Sequence, residues 1–321
     1  MTTDAEYYSK FNFLYDDVKK EEALFSKKPL LAHYTSIPIM EQIFKNNEIW
    51  MSNPLFMNDH EEVKFVVIQS EQFVRESTDI DQALQSDVRR SNFQHHFNQY
   101  FLKFANDQIL DTYIFCLSEH DPKDFDGVLS MWRAYGSSGN GAAIVFDSNS
   151  FEAREGSPLM ISKIHYGTKE DRMDWVKNLI LKFSKVLNEI PDDKLFLAAF
   201  ALFERIKIFS LFTKHKGFEE ENEWRIVYNI GRDNLGLLEG MLSYDIRSDN
   251  VQPKLKLKVT EIPWLKTQPV SLEPYVDRVI LGPSQSELIV QATVQRMFKL
   301  LKIEKMMPKV YASKIPLRNN K

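Results

Sequence analysis

With 321 residues, 43% hydrophobic and 27% charged, the chain has the composition of a folded globular protein, long enough for one large domain or two modest ones. A formal net charge of -4 and a pI near 6.0 argue against a protein that wraps nucleic acid by bulk charge, although a local basic groove fits within that balance. The single cysteine, Cys116, excludes an intrachain disulfide framework and a multi-cysteine zinc site. It stands in the apolar run Tyr113 to Leu117, where the expected role is that of a small buried hydrophobe. The acidic start, Met1 to Glu6, has no signal-peptide apolar core, and no run reaches the ~18 apolar residues of a spanning helix. The expected compartment is a reducing cytoplasm, with no membrane partner.

In chain order, Tyr7 to Lys28 carries Phe11, Leu14, Tyr15, Val18, Leu24 and Phe25 among charged residues, the pattern of a helical arm on a domain surface. Leu30 to Tyr34 reads as a strand running into a helix that Ser36 caps, with Pro38 just inside and Ile39, Met40, Ile43 and Phe44 at helical spacing. His33, Tyr34 and Thr35 then sit at a strand's carboxyl end beside a helix N-terminus, a common place to hold a phosphate-bearing ligand. A core-edge histidine bonded to the backbone is the plainer alternative. Ile49 to Ser52 is a second short strand. Asn58-Asp59 followed by Glu61 and Glu62 forms a helix-capping signal, and the spacing of His60 and Glu62 around it is too sparse for a metal site. Helical patterning runs from Val63 to about Asp107, and the adjacent His95-His96 lacks the four-residue spacing of a helical zinc pair. No metal is expected.

Tyr113 to Leu117 is a strand ending at Ser118-Glu119, and Leu129 to Gly136 holds a helical turn on which Trp132 and Tyr135 share a face. Such a face is usually core. The glycines that follow permit close backbone approach, so a planar ligand stacked on Tyr135 is the competing reading. Gly141 to Asp147 is apolar throughout and reads as a strand buried on both faces. After a strand from Met160 to Tyr166, helices cover roughly Asp171 to Asn188 and Asp193 to Phe212, and Lys214-His215-Lys216 is a basic turn. In Glu223-Trp224-Arg225-Ile226 the acid and the guanidinium alternate with apolar residues and so share one strand face. On an open surface that pair is worth ~0 to 1 kcal/mol. Lining a cleft, Glu223 becomes a binder of sugar hydroxyls or a stabiliser of positive charge. Asp277 to Pro283, Ser286 to Leu301 and Lys309 to Ile315 complete the pattern as strand, helix and strand. The expected fold is α+β, with a helical arm over residues 1–28 and one domain over 29–321. Its central sheet is mixed or antiparallel, and large helical insertions fall at about 60–107 and 171–213.

The succession of His33-Tyr34-Thr35, Asn58-Asp59 with Glu62, Phe115 to Ser118, Trp132 to Gly136, Gly141 to Asp147, Glu223-Trp224-Arg225 and Ile280 to Pro283 resembles the bacterial domain of unknown function 2971 family. More distantly it is similar to the ADP-ribosyltransferase superfamily, in which a His on the first core strand, an aromatic residue and a later acid serve NAD. That resemblance implies an ADP-ribosyltransferase-like fold. His33 and Thr35 would hold a ribose, Tyr135 would stack on nicotinamide, and Glu223 would orient a ribose hydroxyl or the nucleophile. It further implies Tyr34, Asn58, Ser118, Trp132 and Arg225 as ligand contacts, NAD as a substrate, and a nucleic-acid or protein acceptor, as in a toxin or phage-defence effector. Glu221-Asn222-Glu223 has the Glu-x-Glu spacing of the arginine-specific branch, whereas His33 departs from that branch's arginine. The competing readings are a non-catalytic nucleotide- or partner-binding module using His33, Trp132 and Arg225, and a metal-dependent nuclease using Asp59, His60 and Glu62. The transferase reading requires His33, Tyr135 and Glu223 to converge on one pocket.

Overall fold

The computed structural model describes residues 3–18, 29–57, 60–150, 157–247, 250–260, 271–285 and 288–317. Among these, twelve strands run in chain order: β1 (Leu30–Thr35), β2 (Glu48–Ser52), β3 (Thr112–His120), β4 (Ala142–Asp147), β5 (Leu159–Lys163), β6 (His165–Gly167), β7 (Thr213–His215), β8 (Glu223–Asn229), β9 (Leu242–Arg247), β10 (Asn250–Lys258), β11 (Val276–Leu281) and β12 (Val310–Ala312). Ten of them form one mixed sheet, antiparallel except where β11 meets β12, and β6 and β7 make a separate parallel pair. The fold is α+β.

The sheet forks at β3. Along one edge β3 pairs with β8 from Thr112 to Ser118, and β5 follows on the far side of β8. Along its other edge the partner changes. The carboxyl end of β3 pairs with β1, with Ala32 opposite Ser118, and this branch continues through β4 and β11 to β12. The amino end pairs with β2, with Ser52 opposite Ile114, and that branch continues through β10 to β9. Two ladders therefore leave one strand, with Cys116 between them.

Helices cover both faces. On one side α2 (Ile37–Asn46) and α9 (Leu288–Leu300) bury Met40, Ile43, Phe44, Val294 and Phe298 against Phe115, Phe146 and Val279. Ser36 caps α2 as the sequence indicates, its side chain accepting from the Ile39 N–H. On the other side lies a helical layer of α3 (His60–Arg75), α4 (Thr78–Leu84), α5 (Asp87–Lys103), α7 (Lys169–Leu187) and α8 (Leu195–Leu211). The expected insertions at 60–107 and 171–213 thus pack on each other as one layer. α8 is apolar around nearly its whole circumference, as a helix enclosed on all sides must be, and its Glu204 and Lys207 pair with each other. The N-terminal arm joins this layer: α1 (Asp4–Ser9) is followed by the buried Phe11 and Leu14, and Phe11 stacks on Phe183 at 5.3 Å.

The structure departs from the sequence pattern in three places. The strand expected over Met160 to Tyr166 is two strands, β5 and β6, in different sheets. The basic turn at Lys214 is partly β7, paired with β6. The β9–β10 hairpin had no counterpart in the sequence reading. Among the described residues no helix is long and apolar enough to cross a membrane.

α6 (Leu129–Ala134) ends against β1 through a glycine-dependent approach: a Cβ at Gly141 would lie 2.2 Å from the Thr35 carbonyl oxygen and 2.9 Å from the Gly136 backbone. Main chain cannot yield as a flexible side chain does. Gly141→Ala is therefore expected to destabilise the fold by roughly 1–3 kcal/mol, read as a lower denaturant midpoint with unchanged slope.

Candidate functional site

The fork opens onto a cavity of about 210 Å³ whose walls include Ala32, His33 and Tyr34 of β1, Trp50 and Ser52 of β2, and the centre of β3 from Ile114 to Ser118. Met57, Met131, Tyr135, Lys214, Glu221 and Glu223 complete it. His33, Tyr135 and Glu223, far apart in sequence, thus line a single space. Tyr34 and Ser118 line it too. Thr35 is buried at the end of β1 and Trp132 is wholly enclosed, its indole N–H donating to the Asp126 carbonyl at 2.8 Å; neither belongs to the wall. Asn58 and Asp59 lie outside the described residues, as do the side chains of His60 and Glu62. Among the described residues no group of three His, Cys, Asp or Glu side chains is arranged to hold a metal.

The acidic wall is a four-charge cluster. Asn222 adopts a left-handed conformation (φ 43°, ψ 50°), which asparagine tolerates better than most residues, and β8 starts at the next residue. Glu223 is only 4% exposed and Arg225 2%, so this is a buried pair rather than the surface pair that the alternation alone allows. Arg225 donates from Nε to Glu223 Oε1 at 2.8 Å and from Nη2 to Oε2 at 3.3 Å, and its Nη1 donates to the Leu211 carbonyl at the end of α8. It stands behind the carboxylate and does not line the cavity. Lys214 bridges the two acids, with Nζ 2.6 Å from Glu221 Oε2 and 3.4 Å from Glu223 Oε2. The Tyr135 hydroxyl donates to Glu221 Oε1 at 2.9 Å, Ser118 Oγ to the Glu221 carbonyl at 2.7 Å, and the Glu223 N–H to the Tyr166 hydroxyl at 2.8 Å.

These surroundings push the two carboxyls apart. Burial would raise Glu223, but the Arg225 guanidinium and the Lys214 ammonium outweigh it and hold the group at about 2. For Glu221 burial wins over Lys214 and Tyr135, and its proton affinity rises above the ordinary carboxylate value. One acid stays ionised while its neighbour is better suited to accept a proton, the arrangement by which paired carboxyls divide acid-base work.

His33 faces them as a neutral ring. Burial lowers it to about 4, and its Nδ1 lies 3.0 Å from the Cys116 carbonyl oxygen. A carbonyl only accepts, so Nδ1 carries the hydrogen and Nε2 the lone pair. The ring packs on Phe115 at 4.3 Å. Tyr34 is fixed by accepting from the Val128 N–H at 3.0 Å and by edge contact with Trp132 at 4.8 Å. Cys116 packs against the core of the helical side and also lines the cavity, and burial first, then Glu223, pushes its thiol well above its ordinary value, so it is a poor nucleophile.

Residues 131–226 match a protein family described as "Protein of unknown function (DUF2971)". That stretch contains Tyr135, Lys214, Glu221 and Glu223, whereas His33 and the β1–β3 side of the cavity lie before it. No curated protein and no solved structure matches the chain.

Sequence reasoning passed over Lys214, Glu221 as a wall residue, Cys116, and the β2 side of the cavity. For Lys214 a signal existed in the isolated basic cluster eight residues before β8. For Trp50 and Ser52 none did, because only the pairing of β2 with β3 brings them to the fork.

The pKa shifts carry a pH signature of determinate sign. Unfolded His33 would bind a proton near 6.5 that the folded ring refuses until about 4, so stability falls as pH drops through that window. Glu223 acts likewise at lower pH: its contribution, on the order of 3 kcal/mol, is complete above an unfolded value near 4.5 and disappears as pH falls to about 2. Urea unfolding across pH 7 to 2 is expected to show both losses, and Glu223→Gln to flatten the lower one.

Proposed function

We propose that the cavity receives the nicotinamide riboside end of NAD, and that the protein is an ADP-ribosyltransferase-like enzyme acting on a nucleophile of nucleic acid or protein. The observation that carries this reading is the convergence of ionised Glu223, Tyr135 and neutral His33 on one cavity at the fork of the sheet. A buried ion-pair cluster supports it further. Such clusters contribute little net stability compared with apolar packing, so an acid held ionised beside a pocket by two cations is better explained by what it does to a ligand.

In the proposed reaction the glycosidic bond between ribose and the nicotinamide ring nitrogen breaks, and its electron pair neutralises the departing ring. The ribose becomes oxocarbenium-like. Glu223, ionised throughout the physiological range, stabilises that charge or accepts from a ribose hydroxyl, in the manner of a carboxylate at a glycosidic centre. The acceptor nucleophile then bonds to the anomeric carbon and gives its proton to Glu221, whose raised affinity suits a base. Lys214 and Arg225 offset part of the Glu223 field, so the stabilisation depends on the carboxylate lying nearer the substrate than they do. The cavity is smaller than the roughly 300–1,000 Å³ of drug-sized sites, which suits a ring with its sugar and leaves the adenylate half outside. A role as a toxin or phage-defence effector belongs to this reading.

The test is incubation of the protein with NAD, alone and with a mixed extract of RNA, DNA and protein, while following nicotinamide release. Glu223→Gln is expected to lower release by at least a hundredfold while NAD affinity stays within a few-fold, since the amide keeps shape and loses charge. Equal turnover in the variant would reject Glu223 as catalytic. Binding of NAD without release in any mixture would favour a non-catalytic nucleotide-binding module instead.

A further inference from the structure

Past β2, the next strand out from the cavity is β10, on which Lys254, Lys256 and Lys258 alternate with Leu255 and Leu257. The leucines pack into the core on the α2 and α9 side, so the three lysines share the other face of the sheet. The register sets Lys254 opposite Ser52, Lys256 opposite Trp50 and Lys258 opposite Glu48, and Ser52 and Trp50 are cavity wall. A row of lysines commonly guards an exposed sheet edge, but β10 is internal and the edge is β9. Solvation of the face would be met by polar groups of either sign. A row of one sign needs another reason.

The three ammonium groups are placed differently. Lys254 is 5% exposed, and its Nζ donates to Ser52 Oγ at 2.7 Å. Its charge reaches the cavity, where it adds to burial in keeping His33 neutral. Lys256 Nζ sits over the Trp50 ring, 4.4 Å from its centroid, which holds the cation at the rim. Lys258 is exposed. Among the described residues no carboxylate pairs with Lys256 or Lys258. Glu48, the acid on this part of the face, is buried and accepts from Trp50 Nε1 at 3.0 Å, and Asp245 lies farther along, opposite Gln252. The net charge of -4 works against a polyanion at a distance, so an anion bound here is held locally, within a Debye length of ~10 Å. Alternate residues of a strand repeat every ~6.8 Å, close to the separation of successive phosphates in an extended nucleic-acid strand.

We propose that the lysine row of β10 is a docking track for the phosphates of a single-stranded nucleic acid, with Trp50 at the point where that strand meets the cavity. Its consequence for the reaction rests on the transferase reading: the acceptor is then a nucleotide of the bound strand and not a protein side chain. An acidic peptide matches the sign of the row but not the indole at its inner end, whose apolar surface suits a base better than a carboxylate.

The test is fluorescence anisotropy of the intact protein with a labelled single-stranded oligonucleotide, compared with a Lys256→Gln/Lys258→Gln variant that removes two charges without opening the core. Lys182→Gln/Lys185→Gln, on the exposed side of α7, makes the same change in net charge away from the row. The row variant is expected to bind about tenfold more weakly. It should also flatten the slope of log affinity against log salt by about 1.4, two phosphate contacts at ~0.7 each, while the α7 variant keeps the wild-type slope. No strand binding at low salt, an unmoved slope in the row variant, equal losses in both variants, or equal affinity for a polyglutamate peptide of the same charge would each overturn the proposal. So would a loss of NAD affinity in the row variant with strand binding intact, which would assign the lysines to the NAD diphosphate. The two readings fail separately: nicotinamide release supported by a protein acceptor, without strand binding, sinks only this one, and row-dependent strand binding without any release sinks only the transferase.

Discussion

A strand in the middle of a sheet has two edges, and the organisation of this protein follows from β3 sharing one of them between two partners. β8 pairs with the first edge from Thr112 to Ser118. On the second edge β1 and β2 arrive at opposite ends and separate toward the middle, because each is committed elsewhere: β1 pairs along its full length with β4, and β2 with β10. Ordinary sheets close such a gap. Here Tyr34, Trp50 and His33 line a cavity beside Cys116, a residue that neither ladder pairs.

The same geometry accounts for the electrostatics. Because β8 runs alongside β3 with Glu223 opposite Ser118 and Arg225 opposite Cys116, the acid reaches the cavity and the guanidinium backs it. The helical layer closes over them. The end of α8 supplies the Leu211 carbonyl that fixes Arg225, and β7, immediately after, supplies Lys214. Burial would neutralise an isolated carboxylate in such a place; two cations within hydrogen-bonding range keep Glu223 charged, while Glu221, with less help, is shifted the other way. Each group in the cluster compensates for the desolvation of another, so the cluster behaves as a unit.

Much of the scaffold was legible locally. Ser36 and Pro38 mark the start of α2, the apolar run after Gly141 marks a strand enclosed on both faces, and the alternation of Glu223, Trp224, Arg225 and Ile226 places acid and guanidinium on one face. The division between β5 and β6 was not legible, since a continuous β-prone run carries no mark of the point at which it changes sheets. The β9–β10 pair was missed as well, although Leu242 to Arg247 and Lys254 to Lys258 alternate apolar and polar residues at the strand period.

For the site, residue chemistry was enough to single out His33, Tyr135 and Glu223, because a polar tip on a strand end, an aromatic beside glycines and an acid alternating with apolar residues are all local patterns. The sequence by itself determined most of the element types and the shared face of Glu223 and Arg225. Tertiary structure decided the rest: that Arg225 backs the carboxylate while Trp132 and Thr35 stay in the packing, that Lys214 ties Glu221 to Glu223, and that Cys116 lies in an opening. These are consequences of strand pairing between segments tens to more than a hundred residues apart. Hydrogen-bonding groups of the main chain are the same at every position, so no local pattern states which distant segments will pair.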